Sequence, residues 1–375
     1  MLTLRGRHLH TLRWMLHANR TALPYHVIIA DGDVHPTIAR LLSDSATFPN
    51  LSYEYHQYCD TSYSDFYSKL NDAIGMVKTR FVMLTDNDDF IIKTGITNSI
   101  SFLDNNPEYV CAGGKIPNFT IIPSPEFPDL TIGEIVRIQF GYKNQTRGIE
   151  FPTASVRVMD EIERYQPISY HIHRTKTLQT VFEEFVGHNF SDLSVAEFYH
   201  ALRIVTLGKV HTNPAAVCYF RQNGTSTNAM VTHDWVYNLL RGNLPQDFRA
   251  MASTIATEAM RIDEKNSSGL RDTILDAYAN YIRHLLGATM MRHRFPRLFQ
   301  LKQKLLLLKG LELTPRWYKR RLLESKFLRG LSNDFLDKSL LKAYRSDFNQ
   351  VETTLRGDEF LSFLQANAPD LLKAA

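Results

Sequence analysis

The chain has 375 residues, 44% of them hydrophobic and 22% charged, with a formal net charge of +4 and three scattered cysteines. Such a composition belongs to a globular protein of about two domains with a sizeable core, and excludes fibrous or low-complexity classes. Cys59, Cys111 and Cys218 form no C-x-x-C pair, which argues against a disulfide framework or a zinc site.

No apolar run reaches the ~18–20 residues needed to span a bilayer. No signal-peptide core follows Met1, and unpaired cysteines suit a reducing compartment, so a cytoplasmic location is expected. Met1 to Arg7 reads as a brief strand with a turn at Gly6. Residues 8–20 repeat apolar side chains at Leu9, Leu12 and Leu16, a helical spacing. Residues 25–30 form a β run ending in the acidic turn Asp31-Gly32-Asp33. A short helix over 37–42, a strand over 51–55 and a helix over 66–77 follow. Strand–helix alternation of this kind predicts a doubly wound α/β domain.

The stretch Arg80 to Phe90 is the centre of that domain. Four apolar residues, Phe81 to Leu84, run into Thr85-Asp86-Asn87-Asp88-Asp89. A short apolar run reads as a strand buried on both faces, and ligands in open α/β sheets sit beyond the carboxyl ends of such strands. If the backbone stays extended, Asp86 and Asp88 point the same way. Three acids this close repel one another unless a cation compensates, and a hard divalent ion, Mg²⁺ or Mn²⁺, prefers oxygen ligands. The plainer reading of the same residues is an Asx-rich turn capping the next helix.

A helix over 96–103 and a strand over 109–115 come next. Gly113-Gly114-Lys115 is not a phosphate-binding loop, because Tyr109 stands where such a loop needs glycine. Residues 117–160, with Pro117, Pro123, Pro125, Pro128 and Pro152, read as a long irregular lid or acceptor surface. A strand over 169–174 carries His171 and His173, which read more readily as ordinary strand residues than as metal ligands. Asp192 precedes a helix over 195–206, either as its N-cap or as a base at the mouth of a site. Strands over 209–211 and 216–221 close the α/β part.

From Asp247 onward helices dominate. Residues 291–330 hold twelve Lys and Arg against Glu312 and Glu324, about +10 (12 − 2). Apolar residues interleave them, so the segment reads either as a basic amphipathic helix for an anionic membrane surface or as a helix packed on the rest of the protein. No nucleic-acid-binding module is recognisable, and no nucleic-acid partner is expected.

Taken together, residues 1 to about 225 resemble a GT-A glycosyltransferase. They are most similar to the broad family 2 of inverting enzymes, particularly bacterial glycosyltransferase-domain proteins with a Thr-Asp-Asn-Asp-Asp-Phe element. The resemblance implies an α/β, Rossmann-like nucleotide-diphospho-sugar transferase domain over 1–244 and a mainly helical region over 245–375. Thr3, Arg5 and Arg7 sit where that family's first strand meets the nucleotide. Asp31 matches the acid that binds base or ribose. Lys69 and Asn71 lie near the family's diphosphate-contacting pair. Asp86 and Asp88 match the metal-binding D-x-D motif, and Asp192 matches the catalytic base. Arg221, with Asn223 to Ser226, resembles the loop that closes on the phosphates. The family's Glu before the base is Ser191 here, and its loop His is Asn223 or absent.

What the resemblance implies is transfer of a sugar from a nucleotide-sugar donor to a glycan or lipid-linked acceptor hydroxyl. The transfer would be inverting, metal-dependent and part of cell-surface polysaccharide biosynthesis, peripheral to the inner face of the membrane. The alternatives are a sugar nucleotidyltransferase, of which Leu4-Arg5-Gly6-Arg7 is a poor version of the loop, and a non-catalytic protein that binds membranes or partners.

Overall fold

The computed structural model describes residues 2–3, 7–140, 147–166, 168–222, 242–264, 269–294 and 338–374. Arg5, the loop of Asn223 to Ser226 and all of the basic segment beyond Arg294 lie outside them. The fold is mixed α/β with a helical C-terminal region, as the alternation of elements implied. Among the described residues three sheets form its frame. In the first, β1 (Leu2–Thr3), β2 (Val27–Asp31) and β3 (Tyr53–Gln57) run parallel. The second has β4 (Phe81–Met83) at one edge. It continues through β9 (Ile172–Arg174) and β6 (Tyr109–Lys115) to β10 (Lys209–Val217). The third holds β5 (Phe90–Ile91), β11 (Tyr219–Gln222), β7 (Pro117–Pro123) and β8 (Gly133–Phe140) in that order.

In the second sheet β9 runs antiparallel to both β4 and β6. One expectation is corrected: β4 is not buried on both faces, since its three residues are all half-buried, at a sheet edge. A cavity of about 780 Å³ separates β2 from β4. It is lined by Trp14, Val27, Leu70, Val82 and Phe182, and among the acid-loop residues it reaches only Thr85.

The described part of 117–160 is also more regular than its prolines suggest. Strands β7 and β8 form an antiparallel pair, with Pro117 and Pro123 at the two ends of β7. Proline is tolerated at a strand's first residue or on its margins, where no ladder donor is missed.

The helices follow the apolar spacing. Helix α1 spans His8–Arg20 and α2 Pro36–Ser43. Helix α3 (Tyr63–Met76) starts earlier than its first apolar residue because Ser62 and Asp65 form a capping box. Then come α4 (Lys93–Asn105), α5 (Ala154–Glu163), α6 (Thr175–His188) and α7 (Leu193–Leu207). Arg174 donates to the carbonyls of Leu103 and Asn106 and so ends α4, while Arg157 does the same for α7 through Val205 and Thr206.

Past residue 243 the described elements are helices: α8 (Leu244–Asp263), α9 (Leu270–Arg294), α10 (Lys338–Ala343), α11 (Arg345–Arg356), α12 (Asp358–Asn367) and α13 (Pro369–Ala374). Phe248, Met251 and Ile255 of α8 share a hydrophobic cluster with α5, α6 and α7. Phe360, Leu364 and Leu371 join a second cluster with Leu12, Met15 and Leu16 of α1. Phe348, Val351 and Leu355 of α11 join a third with Phe90, Phe119 and Phe220. Among the described residues no helix is long and apolar enough to cross a membrane.

Candidate active site

The chain leaves β4 at Met83 and turns at Asn87 and Asp88 rather than staying extended. The turn still brings one carboxylate oxygen each from Asp86, Asp88 and Asp89 within 4.8 Å of one another. Asp88 and Asp89 are buried, at 3% and 2% exposure. At an effective dielectric of about 20, two full charges at that separation repel by roughly 3.5 kcal/mol. The three acids therefore need cations or donors, and each has found one.

Arg7 places Nη1 at 3.0 Å from Asp88 Oδ2, with both side chains buried. Tyr170 donates its hydroxyl to Asp86 Oδ2 at 2.5 Å, and the Asp86 amide donates to the Tyr219 hydroxyl at 2.9 Å. The two tyrosine rings stack at 4.4 Å, and the Arg221 guanidinium lies 6.0 Å from the Tyr170 ring centre. Asp89 Oδ1 accepts from the Gln222 amide at 2.7 Å. Arg13, wholly buried, donates to the Asp88 carbonyl and to Gln222 Oε1 at 3.0 and 2.9 Å. A third donation, to the carbonyl of Thr131, joins the loop before β8 to the same group.

These contacts set the protonation tendencies. Burial, then repulsion from Asp88, raises the Asp86 carboxyl, against the pull of Tyr170, Arg221 and Arg7. Burial, Asp88 and Asp86 push Asp89 well above the carboxylate range. Tyr170 is held far above its ordinary value by burial and then by Asp86 and Asp89, so it stays a donor. For Arg221 burial works against the charge, but Tyr170, Asp89 and Asp86 outweigh it and raise the guanidinium.

A second polar group surrounds the end of β2. Thr3 stands in register with Asp31, which is 3% exposed. Asp31 accepts from the Tyr55 hydroxyl at 3.0 Å and from the Asp33 amide at 3.1 Å. Lys69 is buried against Asp60; burial lowers it, while Asp60 and Asp31 raise it. A Cβ on Gly32 would overlap the Asp60 carboxylate and the Lys69 ammonium, so only glycine allows that approach. Asn71 is half-buried two residues along α3 from Lys69 and so lies on another face.

Asp192 is buried at the start of α7, where its carbonyl accepts from Val195 and Ala196. Its charge bears on Tyr63 and Tyr67 of α3, and it is not among the main groups acting on Asp86 or Asp89. Ser191 beside it is bound through amide and hydroxyl to Asp247 of α8. His171 and His173 behave as core residues. Burial lowers them to about 3 and about 4, and His173 Nε2 lies 3.1 Å from the Ile168 carbonyl oxygen.

The structure thus gathers Arg7, Asp86, Asp88 and Arg221 at one point, with Thr3, Asp31 and Lys69 at a neighbouring strand end. Sequence reasoning missed Arg13, Tyr170, Tyr219 and Gln222. Tyr219 had a signal, since it precedes Arg221 by two on a strand and shares its face. Tyr170, distant from Asp86 in the chain, had none.

No protein-family model matches the chain, and no curated protein matches it. Among solved structures similar to it is S. aureus TarS 1-349 in complex with UDP-GlcNAc. The TM-score is 0.47 at 12% identity, covering 95% of this chain and 90% of that one. The same protein in complex with UDP gives a TM-score of 0.45 at 14% identity, covering 95% and 89%. A longer S. aureus TarS structure gives 0.43 at 14% identity, and the match spans 54% of that chain.

Proposed function

We propose that the protein is a glycosyltransferase that uses a nucleotide-sugar donor and a divalent metal ion. The observation that carries this reading is the convergence of Asp86, Asp88 and Asp89 at a strand end beside Arg7 and Arg221. Hard carboxylate oxygens this close fit Mg²⁺ or Mn²⁺. In this reading Asp86 and Asp88 hold the ion, which supplies Lewis-acid stabilisation of the leaving diphosphate. Arg7, Arg221 and Lys69 contribute positive charge near the phosphates. Asp31 takes the ribose or base, beside Thr3, with Arg5 assigned to the same donor site, while Asn71, on another face of α3 from Lys69, is left out of it.

Asp192 is assigned as the base that removes the acceptor's proton, which requires an ionised carboxylate within reach of that hydroxyl. Direct attack then inverts the anomeric centre. The acceptor is assigned as a glycan or lipid-linked hydroxyl, with residues 291–330 lying against an anionic surface at the inner face of the membrane. The division at 244/245 separates the catalytic part from helices that brace it.

The test is a thermal-shift panel of UDP-, GDP-, TDP- and CMP-sugars with and without Mn²⁺. A ligand at ~100 times its dissociation constant stabilises by about 2.7 kcal/mol. We expect a Mn²⁺-dependent shift with one donor class that is lost in Asp88→Ala. No shift with any donor would overturn the reading. Product analysis by NMR tests the base: a retained anomeric configuration would remove Asp192 from that role.

A further inference from the structure

We propose that Arg7 is a built-in counter-ion for Asp88, which a metal ion has to displace, so that divalent metal and an anionic diphosphate enter the site together. The inference rests on the reading of the acid loop as a metal site. Three observations carry it.

The first is the pair itself. Arg7 Nη1 and Asp88 Oδ2 are 3.0 Å apart, with side chains 8% and 5% exposed. A metal that takes that oxygen removes this ionic contact from a largely buried guanidinium, which is unfavourable. The second is rigidity. The Arg7 carbonyl accepts from Asn87 Nδ2 at 3.1 Å and from the Thr11 amide at 3.2 Å. Asn87, between the acids, also donates to Thr11 Oγ1 at 2.9 Å. The arginine's backbone is therefore fastened to the same loop as the acids, and its side chain alone can change partner.

The third is charge. Asp86, Asp88 and Asp89 give at most −3, less where the raised Asp86 and Asp89 carboxyls hold protons, and the guanidiniums that act on them, Arg7, Arg13 and Arg221, give +3. A dication alone would enter a site whose acids are already balanced by cations. A diphosphate arriving with it restores the balance and offers Arg7 a bidentate anion in place of Asp88. Metal and diphosphate then favour each other's binding, as linkage requires.

Calorimetric titration of the full chain with Mn²⁺ alone tests this. Arg7→Gln removes the competitor, and we expect it to bind Mn²⁺ at least tenfold more tightly than wild type, a gain that Asp88→Asn removes. Equal or weaker Mn²⁺ binding in Arg7→Gln would overturn the proposal while leaving the metal site in place. A thermal-shift measurement on the wild type needs no variant. Mn²⁺ and the matching nucleoside diphosphate together should raise Tm by more than the sum of their separate shifts, and a purely additive result would also overturn it. Absence of Mn²⁺ binding in every arm, including Arg7→Gln with nucleoside diphosphate, would overturn the metal reading itself.

Discussion

Arg13 is the side chain on which the candidate site's geometry most depends. It ties the acid loop, β11 and Thr131 together, and Thr131 itself holds a left-handed φ of 60°. Burial lowers its guanidinium to about 10, still charged at neutral pH. Arg13→Met keeps the volume but strands the Asp88 carbonyl and Gln222. Unmade buried hydrogen bonds cost about 1–3 kcal/mol each, so we expect a loss of roughly 3 kcal/mol in chemical denaturation. The buried histidines give a second prediction. His17 and His171 are lowered to about 3 and His173 to about 4, by burial first. Unfolding frees them to protonate near ~6.5, so their contribution is present above that pH and is lost as pH falls toward 3–4. Each adds at most ~1.4 kcal/mol per pH unit. Tm should fall between pH 7 and 5, and His171→Gln should reduce the slope. At this scale local spacing and charge marked the acids, whereas Arg7 and Arg221 were named only through the family resemblance. Arg13 and Tyr170 stayed hidden because an amphipathic helix position and a lone tyrosine do not announce which distant carbonyl or carboxylate they meet.

Helix ends and close approaches decide the elements. Gly357 joins α11 to α12 at φ 89°, and a Cβ there would press on Ile132. Gly357→Ala meets both the conformational and the steric penalty, and we expect a loss of about 1–3 kcal/mol, seen as a lower denaturation midpoint. Asp263 of α8 accepts from the amides of Ala154 and Ser155 and so caps α5 from another part of the chain. Asp263→Ala should cost about 1 kcal/mol by the same measurement. Most helices and the central β runs were legible because their apolar period is strong. The β7–β8 pair was not, since prolines at strand ends look the same in sequence as prolines in loops. The antiparallel run of β9 was equally invisible, because strand direction is fixed by partners and not by the strand's own residues.

For the molecule as a whole, the C-terminal helices are part of the core. Leu340, Tyr344, Phe348, Val351, Leu355, Phe360, Leu364, Ala368 and Leu371 are all buried. Even at ~1.5 kcal/mol for each large side chain, their burial rivals a typical net stability of about 5–15 kcal/mol. Removing residues 338–375 should therefore leave no cooperative thermal transition. A truncated chain that melts at the wild-type temperature would contradict this.

The same packing sets an order in time. Helix α1 is made early, yet its His17 Nδ1 lies 2.8 Å from Thr354 Oγ1, 337 residues later. Arg20 reaches Glu359 at 3.1 Å, and Arg40 the Asn367 carbonyl at 3.0 Å. At about 5–20 residues per second, a ribosome needs roughly 17–67 s to supply those partners. Through that interval the face of Leu12, Met15 and Leu16 lacks its final cover, and Arg13 on the same helix has no finished frame to brace. The contacts between α1 and the helices past residue 338 therefore form only after every acid of the loop has been made, so a nascent chain stalled before residue 338 carries Asp86, Asp88 and Asp89 without that cover over α1.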